Sequence, residues 1–420
     1  MSTAPASWAP LRSAAFRALA SARIVSVLGG SVAPVALAFA VLDLTGSATD
    51  LGVVVGARSL ANVAFLLVGG VVADRLPRQV VLVGSSLAAA LTQGLVAALV
   101  LTRTDSVALL AALSALNGAV SAFALPAAAA LQPQTVDRAQ LQQATALVRI
   151  GLSGAMILGA SLGGVLVAAV GPGWGIALDA ASFAVAASLF ARVRVPAAAE
   201  AARSGTRVWT DLVTGWGEFT SRTWLWVVVA AFLVVNAMVA GCTGVLGPLV
   251  ANGSVGRAGW GLALSAQAAG YVAGGIVALR LRIRRLLRFG MACAAGEALL
   301  MVALGTRPVL PVLLVTAFAG GFAIEQFGVA WETSMQQHVP ADRLARVYSY
   351  DMLGSFLAMP LGEVAAGPVA AAVGLDVALL GAAAVVVLAT AAALSSRSVR
   401  DLPNTALDAG PAAPAVTVPT

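Results

Sequence analysis

The stretch Gly69-Gly70-Val71-Val72-Ala73-Asp74-Arg75-Leu76-Pro77-Arg78-Gln79 decides how this chain folds. An apolar run from about Leu51 to Ala73 leads into it, and a second begins at Val80. Between them stand an acid, two arginines and a proline. Two long apolar helices joined by so short a charged turn must lie antiparallel and side by side. Gly69 and Gly70 let the backbones approach closely before the turn. Pro77 and the charges end the helix and keep the turn in water.

Composition extends this local reading to the whole chain. Of 420 residues, 60% are apolar and 10% charged, against about 25% charged in soluble proteins. That balance excludes a water-soluble fold and fits a polytopic membrane protein. Further apolar runs fall at about 19–42, 80–101, 106–130, 146–170, 174–194, 224–250, 258–279, 287–305, 309–335, 345–372 and 376–395. Each is near the roughly 20 residues that a membrane helix needs. The first run has a basic flank and ends in Ala38-Phe39-Ala40, which mimics a signal-peptide cleavage site; the many later runs favour an uncleaved helix.

All 25 basic residues are arginine, and the net charge is +7. In a soluble protein this would suggest nucleic acid. Here the arginines flank apolar runs and act as topology signals, so no nucleic-acid partner is expected. Placing both termini and every second loop in the cytoplasm leaves only Arg103, Arg257 and Arg307 outside, with Arg58 inside the second run. The other 21 of the 25 lie in inner loops or at inner helix ends.

The expected fold is therefore an all-α membrane protein of twelve transmembrane helices in two pseudo-symmetric six-helix bundles. Residues 1–195 form the first bundle, 196–222 a cytoplasmic linker, 223–396 the second bundle and 397–420 a disordered tail. The linker stretch from Arg207 to Trp216 reads either as an amphipathic surface helix or as a solvated connection. A short internal echo supports the two halves: Leu131–Arg138 resembles Met335–Arg343, and Leu162-Gly163-Gly164-Val165 resembles Leu361-Gly362-Glu363-Val364. The absence of lysine and the wealth of alanine suggest a GC-rich bacterial genome. The expected location is the bacterial cytoplasmic (inner) membrane, with both termini cytoplasmic. Cys242 and Cys293 fall inside runs, as free thiols rather than a disulfide or zinc site.

The quoted turn resembles the loop between the second and third helices of the major facilitator superfamily, G-x-x-x-D-R-x-x-R-[RK]. Gly70, Asp74, Arg75 and Arg78 fill its positions, and Gln79 replaces the last base. The resemblance implies that these four are gate residues, with Asp74 meeting the eleventh helix to latch an outward-open state; simple topology determinants are the other reading. A second stretch, Gln336 to Val347, resembles Q-x-x-V-P-x-x-x-x-x-R-V of the macrolide and siderophore exporters in that superfamily. In span five the drug/proton antiporters carry G-P-x-x-G-G, and this chain has Gly159-Ala160-Ser161-Leu162-Gly163-Gly164 without the proline. Span eleven supplies Pro360, Gly362 and Pro368, which predict a kink. Both sets read equally as helix packing or as moving surfaces.

The resemblance implies secondary active transport by alternating access, with proton-coupled export of a drug, macrolide or siderophore-like amphiphile. Uptake of a metabolite by the same fold, or a non-transporting receptor or scaffold, are the alternatives. Membrane lipids, a small-molecule substrate and protons are the expected partners of a monomer. No cofactor and no metal are expected. No enzyme is indicated either, since no lysine exists to complete a Walker loop and no nucleophile elbow accompanies the single His338.

Ionisable and polar side chains inside spans are expensive and normally face protein or a wet cavity. Glu325, Glu363 and Glu297 are the expected proton-coupling candidates, in that order of preference, with structural pairing the competing role. Arg58, Asn62, Asn117, Asn236, Gln267, Gln326 and Trp331 are the expected cavity residues. Asp351 and Glu332 read as structural partners of Arg343 and Arg346. Arg58 is expected to pair with Asp43 or Asp179, and Pro34 to break the first span.

Overall fold

The computed structural model describes residues 6–75, 77–137, 140–194 and 216–405, apart from some side chains, chiefly those of 66–75, 341–342 and 345–346. Three expected gate residues, Gly70, Asp74 and Arg75, thus lie outside the described side chains. The linker residues 196–215 and the tail from 406 lie outside the description altogether.

Among the described residues there are helices and turns but no strand. The first half comprises α1 (Ala14–Thr45), α2 (Ala48–Arg75), α3 (Arg78–Thr102), α4 (Val107–Ser121), α5 (Ala124–Leu131), α6 (Leu141–Val170) and α7 (Pro172–Phe190). The second comprises α8 (Thr223–Val239), α9 (Gly247–Asn252), α10 (Gly256–Ala278), α11 (Leu286–Ala294), α12 (Ala298–Thr306), α13 (Leu310–His338), α14 (Ala341–Phe356), α15 (Met359–Val373) and α16 (Leu375–Ser395). Each expected apolar run falls on helix. Among the described residues, ten helical stretches are long and apolar enough to cross a membrane. The other two runs are α2, 28 residues long, and the shorter α4 with α5 after it.

Local chemistry sets the ends. Ser13 accepts the Phe16 amide at 3.2 Å and starts α1. Gly46, with φ of 66°, ends it by donating to the Leu42 carbonyl at 2.8 Å. Gly171 (φ 93°, ψ 166°) joins α6 to α7, and Gly374 (φ 92°, ψ 150°) joins α15 to α16. That backbone region is essentially glycine-only. The same unusual turn at corresponding places in both halves is a backbone counterpart of the sequence echo.

Four spans are broken. The fourth breaks between α4 and α5, and the seventh passes through a π-helical stretch, Ala240–Leu246. The ninth has a 3₁₀ turn at Ala295–Glu297, and the eleventh breaks between Phe356 and Met359, beside Pro360. Pro34 does not break α1, which runs unbroken for 32 residues. A proline ring removes one ladder bond, and packing on both sides can hold the helix through that loss.

Within the first half, α1 packs on α6 and α7, α2 on α4, and α3 on α7; within the second, α10 and α11 pack on α13, and α12 and α8 on α16. The halves meet chiefly through α6 against α10 and α2 against α15. Outward, large apolar side chains such as Leu91, Leu158, Val315 and Leu388 stand more than 60% exposed. A rim of that kind is stable against lipid rather than water.

Candidate functional site

Close contact between the halves is concentrated toward the ends of the spans opposite the arginine-rich loops. Gly164 of α6 faces Gly261 of α10 so closely that a methyl group on Gly164 would lie 2.8 Å from the Gly261 Cα. A methyl on Gly261 would lie 2.6 Å from the Ala160 carbonyl. Ser161 Oγ and Ser265 Oγ bond across the same seam at 2.7 Å, and Ser265 Oγ lies 2.9 Å from the Ile157 carbonyl oxygen. The second seam repeats this logic. Gly52 of α2 sits on the Glu363 carbonyl of α15, and Gly367 of α15 sits on the backbone of Ala48 and Thr49. No residue with a Cβ fits those positions without moving a backbone.

The other expected packing residues act inside each half. Gly159 and Gly163 rest on α1 at Leu28 and Val32, and Gly362 rests on the Ala237 carbonyl of α8. Pro360 starts α15.

Toward the arginine-rich loops the halves part around a cavity of about 560 Å³. Two expected cavity residues, Asn236 and Trp331, line it with the proton-coupling candidate Glu325, joined by Arg149, Asp351 and Tyr271. One wall is aromatic. Phe232 and Phe327 stack with centroids 3.9 Å apart, and Trp331 continues the stack 6.1 Å from Phe327 in a nearly parallel plane. Trp331 Nε1 donates to Asp351 Oδ2 at 3.0 Å, and Ser355 Oγ lies 3.2 Å from Asp351 Oδ1. Asn236 Nδ2 donates to the Ser355 carbonyl at 2.9 Å. That carbonyl precedes the break in span eleven, where the helical ladder is interrupted.

A second cavity, about 620 Å³, lies deeper between α1, α2, the π-helical stretch and the break in span eleven. Arg58, Asn62 and Glu363 line it, and Phe356 lines both cavities, so the two adjoin. Glu363 belongs to the second half, while its polar neighbours Arg58 and Ser59 belong to the first.

Several expectations need correction. Asn117 is buried against α3, donating to Thr92 Oγ1 at 3.0 Å, and Gln326 is buried against α10, donating to the Gly274 carbonyl at 2.7 Å. Neither lines these cavities, nor does half-buried Gln267, whose carbonyl packs on Gly321. The side chains of Asn117 and Gln326 join neighbouring helices, where an unpaired amide would be costly. Glu297 is buried in the 3₁₀ turn of span nine, behind Tyr271 rather than in the cavity. Among the described residues no ion pair joins Arg58 to either expected acid, although its charge is felt at Asp179. Asp43 is taken by Arg257, and Asp179 Oδ2 accepts from Gln93 at 2.6 Å. Asp351 is held by Trp331 and faces the cavity, instead of pairing with an arginine. Arg149, assigned by sequence to topology, lines the cavity.

The described end of the linker, residues 216–221, is helical and docks on α14. Trp216 and Phe219 pack around Tyr350, with centroids 5.5 and 6.0 Å from it. Glu218 bridges Arg222 and Arg343, the latter at 2.5 Å. Those two guanidinium groups, Arg222 first, hold its carboxyl below the usual glutamate range.

Comparison with known proteins places this geometry. The family model for transmembrane secretion effectors, MFS_3, matches residues 5–416. The multidrug efflux pump Tap of Mycolicibacterium fortuitum is 26% identical over 372 residues, covering 86% of this chain and 90% of that protein. The Tap pump of Mycobacterium tuberculosis (strain ATCC 25618 / H37Rv) is 27% identical over 396 residues, covering 91% and 93%. Among solved structures, the nucleoside transporter NupG superposes with a TM-score of 0.71 at 14% identity, over 91% of this chain and 98% of that one. A bacterial homologue of the human lysosomal transporter Spinster, inward-facing and unoccupied, gives 0.72 at 15% identity, over 93% and 98%. These two likenesses show the fold. Family match, helix layout and the inter-half cavity agree: the chain is a multi-pass membrane transporter, not an enzyme, and belongs to the transmembrane secretion effector family of the major facilitator superfamily.

Proposed function

We propose that this transporter exports amphiphilic small molecules by proton-coupled alternating access, with the 560 Å³ cavity as the loading site. The observation that carries this reading is the asymmetry between the two ends of the interface. Glycine seams close one end at backbone distance, while a mixed aromatic and charged cavity opens the halves at the other. We take the arginine-rich end as cytoplasmic by the positive-inside rule, which puts both termini inside. The cavity then loads from the cytoplasm, the direction export requires. Residues 1–195 and 223–396 act as the two rocking bodies, 196–222 as their tether and 397–420 as a tail. The working unit is a monomer in the bacterial inner membrane. The gate role of Gly70, Asp74, Arg75 and Arg78 is part of this proposal.

Loading and coupling fall to different carboxylates. Glu325 lines the loading cavity and meets the substrate. Glu363 lies beside the seam, with Arg58 and Ser59 facing it from the other half. Its charge therefore acts on the contact that must open, which suits a proton carrier better than Glu325, the candidate favoured by depth in the sequence. Glu297, behind Tyr271, is a third candidate.

The test is transport in proteoliposomes with a set proton gradient and a flat aromatic dye as substrate. Wild type should move dye against its gradient and release protons in exchange. Glu363→Gln should abolish gradient-driven movement yet keep dye-for-dye exchange, whereas Glu325→Gln should weaken dye binding. Loss of exchange with Glu363→Gln would contradict the division, and no dye-dependent proton movement in wild type would contradict the function.

A further inference from the structure

We infer that the loading cavity selects zwitterionic aromatic amphiphiles, with the ligand's cation held by Glu325 of the second half and its anion by Arg149 of the first. This rests on the reading of that cavity as the transport site. Both side chains line it, and their charges act on each other across it. Yet no hydrogen bond or ion pair joins either of them to another side chain among the described residues. The remaining acid, Asp351, is already engaged by Trp331 and Ser355. The cavity thus holds one uncommitted anion and one uncommitted cation on opposite bodies, beside the ring stack of Phe232, Phe327 and Trp331.

Transport requires this space to close at the loading end, and closure removes water from both charges. A buried charge without a partner is strongly penalised. A monocationic ligand would satisfy Glu325 but meet repulsion from Arg149, and a monoanion would meet the reverse. A neutral ligand would leave both unmet. A molecule with both charges on a flat aromatic body satisfies the pair and uses the stacked wall. Selection by like-charge repulsion and by unmet charges acts on affinity, so binding reads it directly.

The experiment measures dye anisotropy with detergent-purified full-length protein. Four dyes share one flat aromatic body and carry a quaternary ammonium, a sulfonate, both groups or neither. The fixed groups keep the charge of each dye the same at every pH. The zwitterionic dye should bind at least about tenfold tighter than either singly charged dye, the usual scale of one charge-assisted hydrogen bond. Arg149→Gln should remove the advantage over the cationic dye, and Glu325→Gln the advantage over the anionic one. Binding of the neutral dye should not weaken in either variant, since each removes one of the two charges that this dye leaves unmet, and that separates selectivity from misfolding. Equal wild-type affinity for cationic and zwitterionic dyes would overturn the inference. So would an unchanged ratio in Arg149→Gln, the result expected if that side chain only reaches for lipid phosphates. Dye export without charge preference would sink this inference alone, whereas failure to bind or export any of the four would sink the transport reading as well.

Discussion

Asp43 at the last turn of α1 and Arg257 at the first turn of α10 form an ion pair between the two halves, at the end opposite the loading cavity. The guanidinium also lies 5.2 Å above the Phe39 ring. Arg257 is one of three arginines outside the inner set, so its sequence position advertised an exception to topology without naming a partner. Both side chains are partly exposed, which limits the pair to at most about 1 kcal/mol. Asp43→Asn should therefore raise the outward-open to inward-open ratio by up to about fivefold. Spin-label distances between the outer ends of α6 and α10 would read it, and an unchanged distance distribution would remove the pair as a latch.

The Gly164–Gly261 contact should matter more. No flexible side chain lies between those backbones, so added volume must push the helices apart. Overpacking of this kind costs about 1–3 kcal/mol. Gly164→Leu is expected to populate the outward-open form, with the longer α6–α10 distance dominant and export slowed. A variant that keeps the short distance would mean the seam is loosely packed.

Trp331 supplies both a ring and a donor. Trp331→Phe keeps much of the stack but leaves Asp351 with one fewer partner. Leaving an acceptor out of water and unmet costs about 1–3 kcal/mol. The variant should lower the thermal midpoint measured in detergent, and Asp351→Asn added to it should recover part of the loss. Equal midpoints for wild type and Trp331→Phe would show that water replaces the bond.

Glu218 gives a pH-dependent handle outside the membrane. Its carboxyl is held below the ordinary range by Arg222 and Arg343, so the folded form binds the proton less readily than the unfolded one. Its contribution is present above the unfolded glutamate value, about 4.3, and is lost as pH falls through the lower folded value. Glu218→Gln should lower the thermal midpoint slightly at pH 7, and the gap from wild type should shrink as pH falls below about 4.3. A gap that does not depend on pH would assign the effect to packing around Trp216 and Tyr350.

The helix layout was legible because it rests on strong, additive signals: apolar length, charged turns and the alternation of arginines. The turn at 69–79 and Pro360 marked a boundary and a break by chemistry that proline and charge impose wherever they occur. Rotation of each helix was not legible. A helix apolar all round has no periodic stripe to say which face meets lipid, so Asn117, Gln326 and Asn236 looked alike. Only the third reached the cavity. Arg149 was hidden for the same reason, since an arginine near an inner helix end is explained by topology alone. The glycines were visible, but whether Gly159 or Gly164 faced the other half depended on a rotation of half a turn or less.

The central claim is that one cavity between the halves is reached from alternate sides. Reactivity of a single cysteine at Ser153→Cys, in a Cys242→Ser and Cys293→Ser background, tests it most directly, because Ser153 lines the loading cavity. A membrane-impermeant maleimide should label it from the arginine-rich side in otherwise unmodified protein, and from the opposite side once Gly164→Leu is added. Labelling from the same side in both proteins would contradict the account.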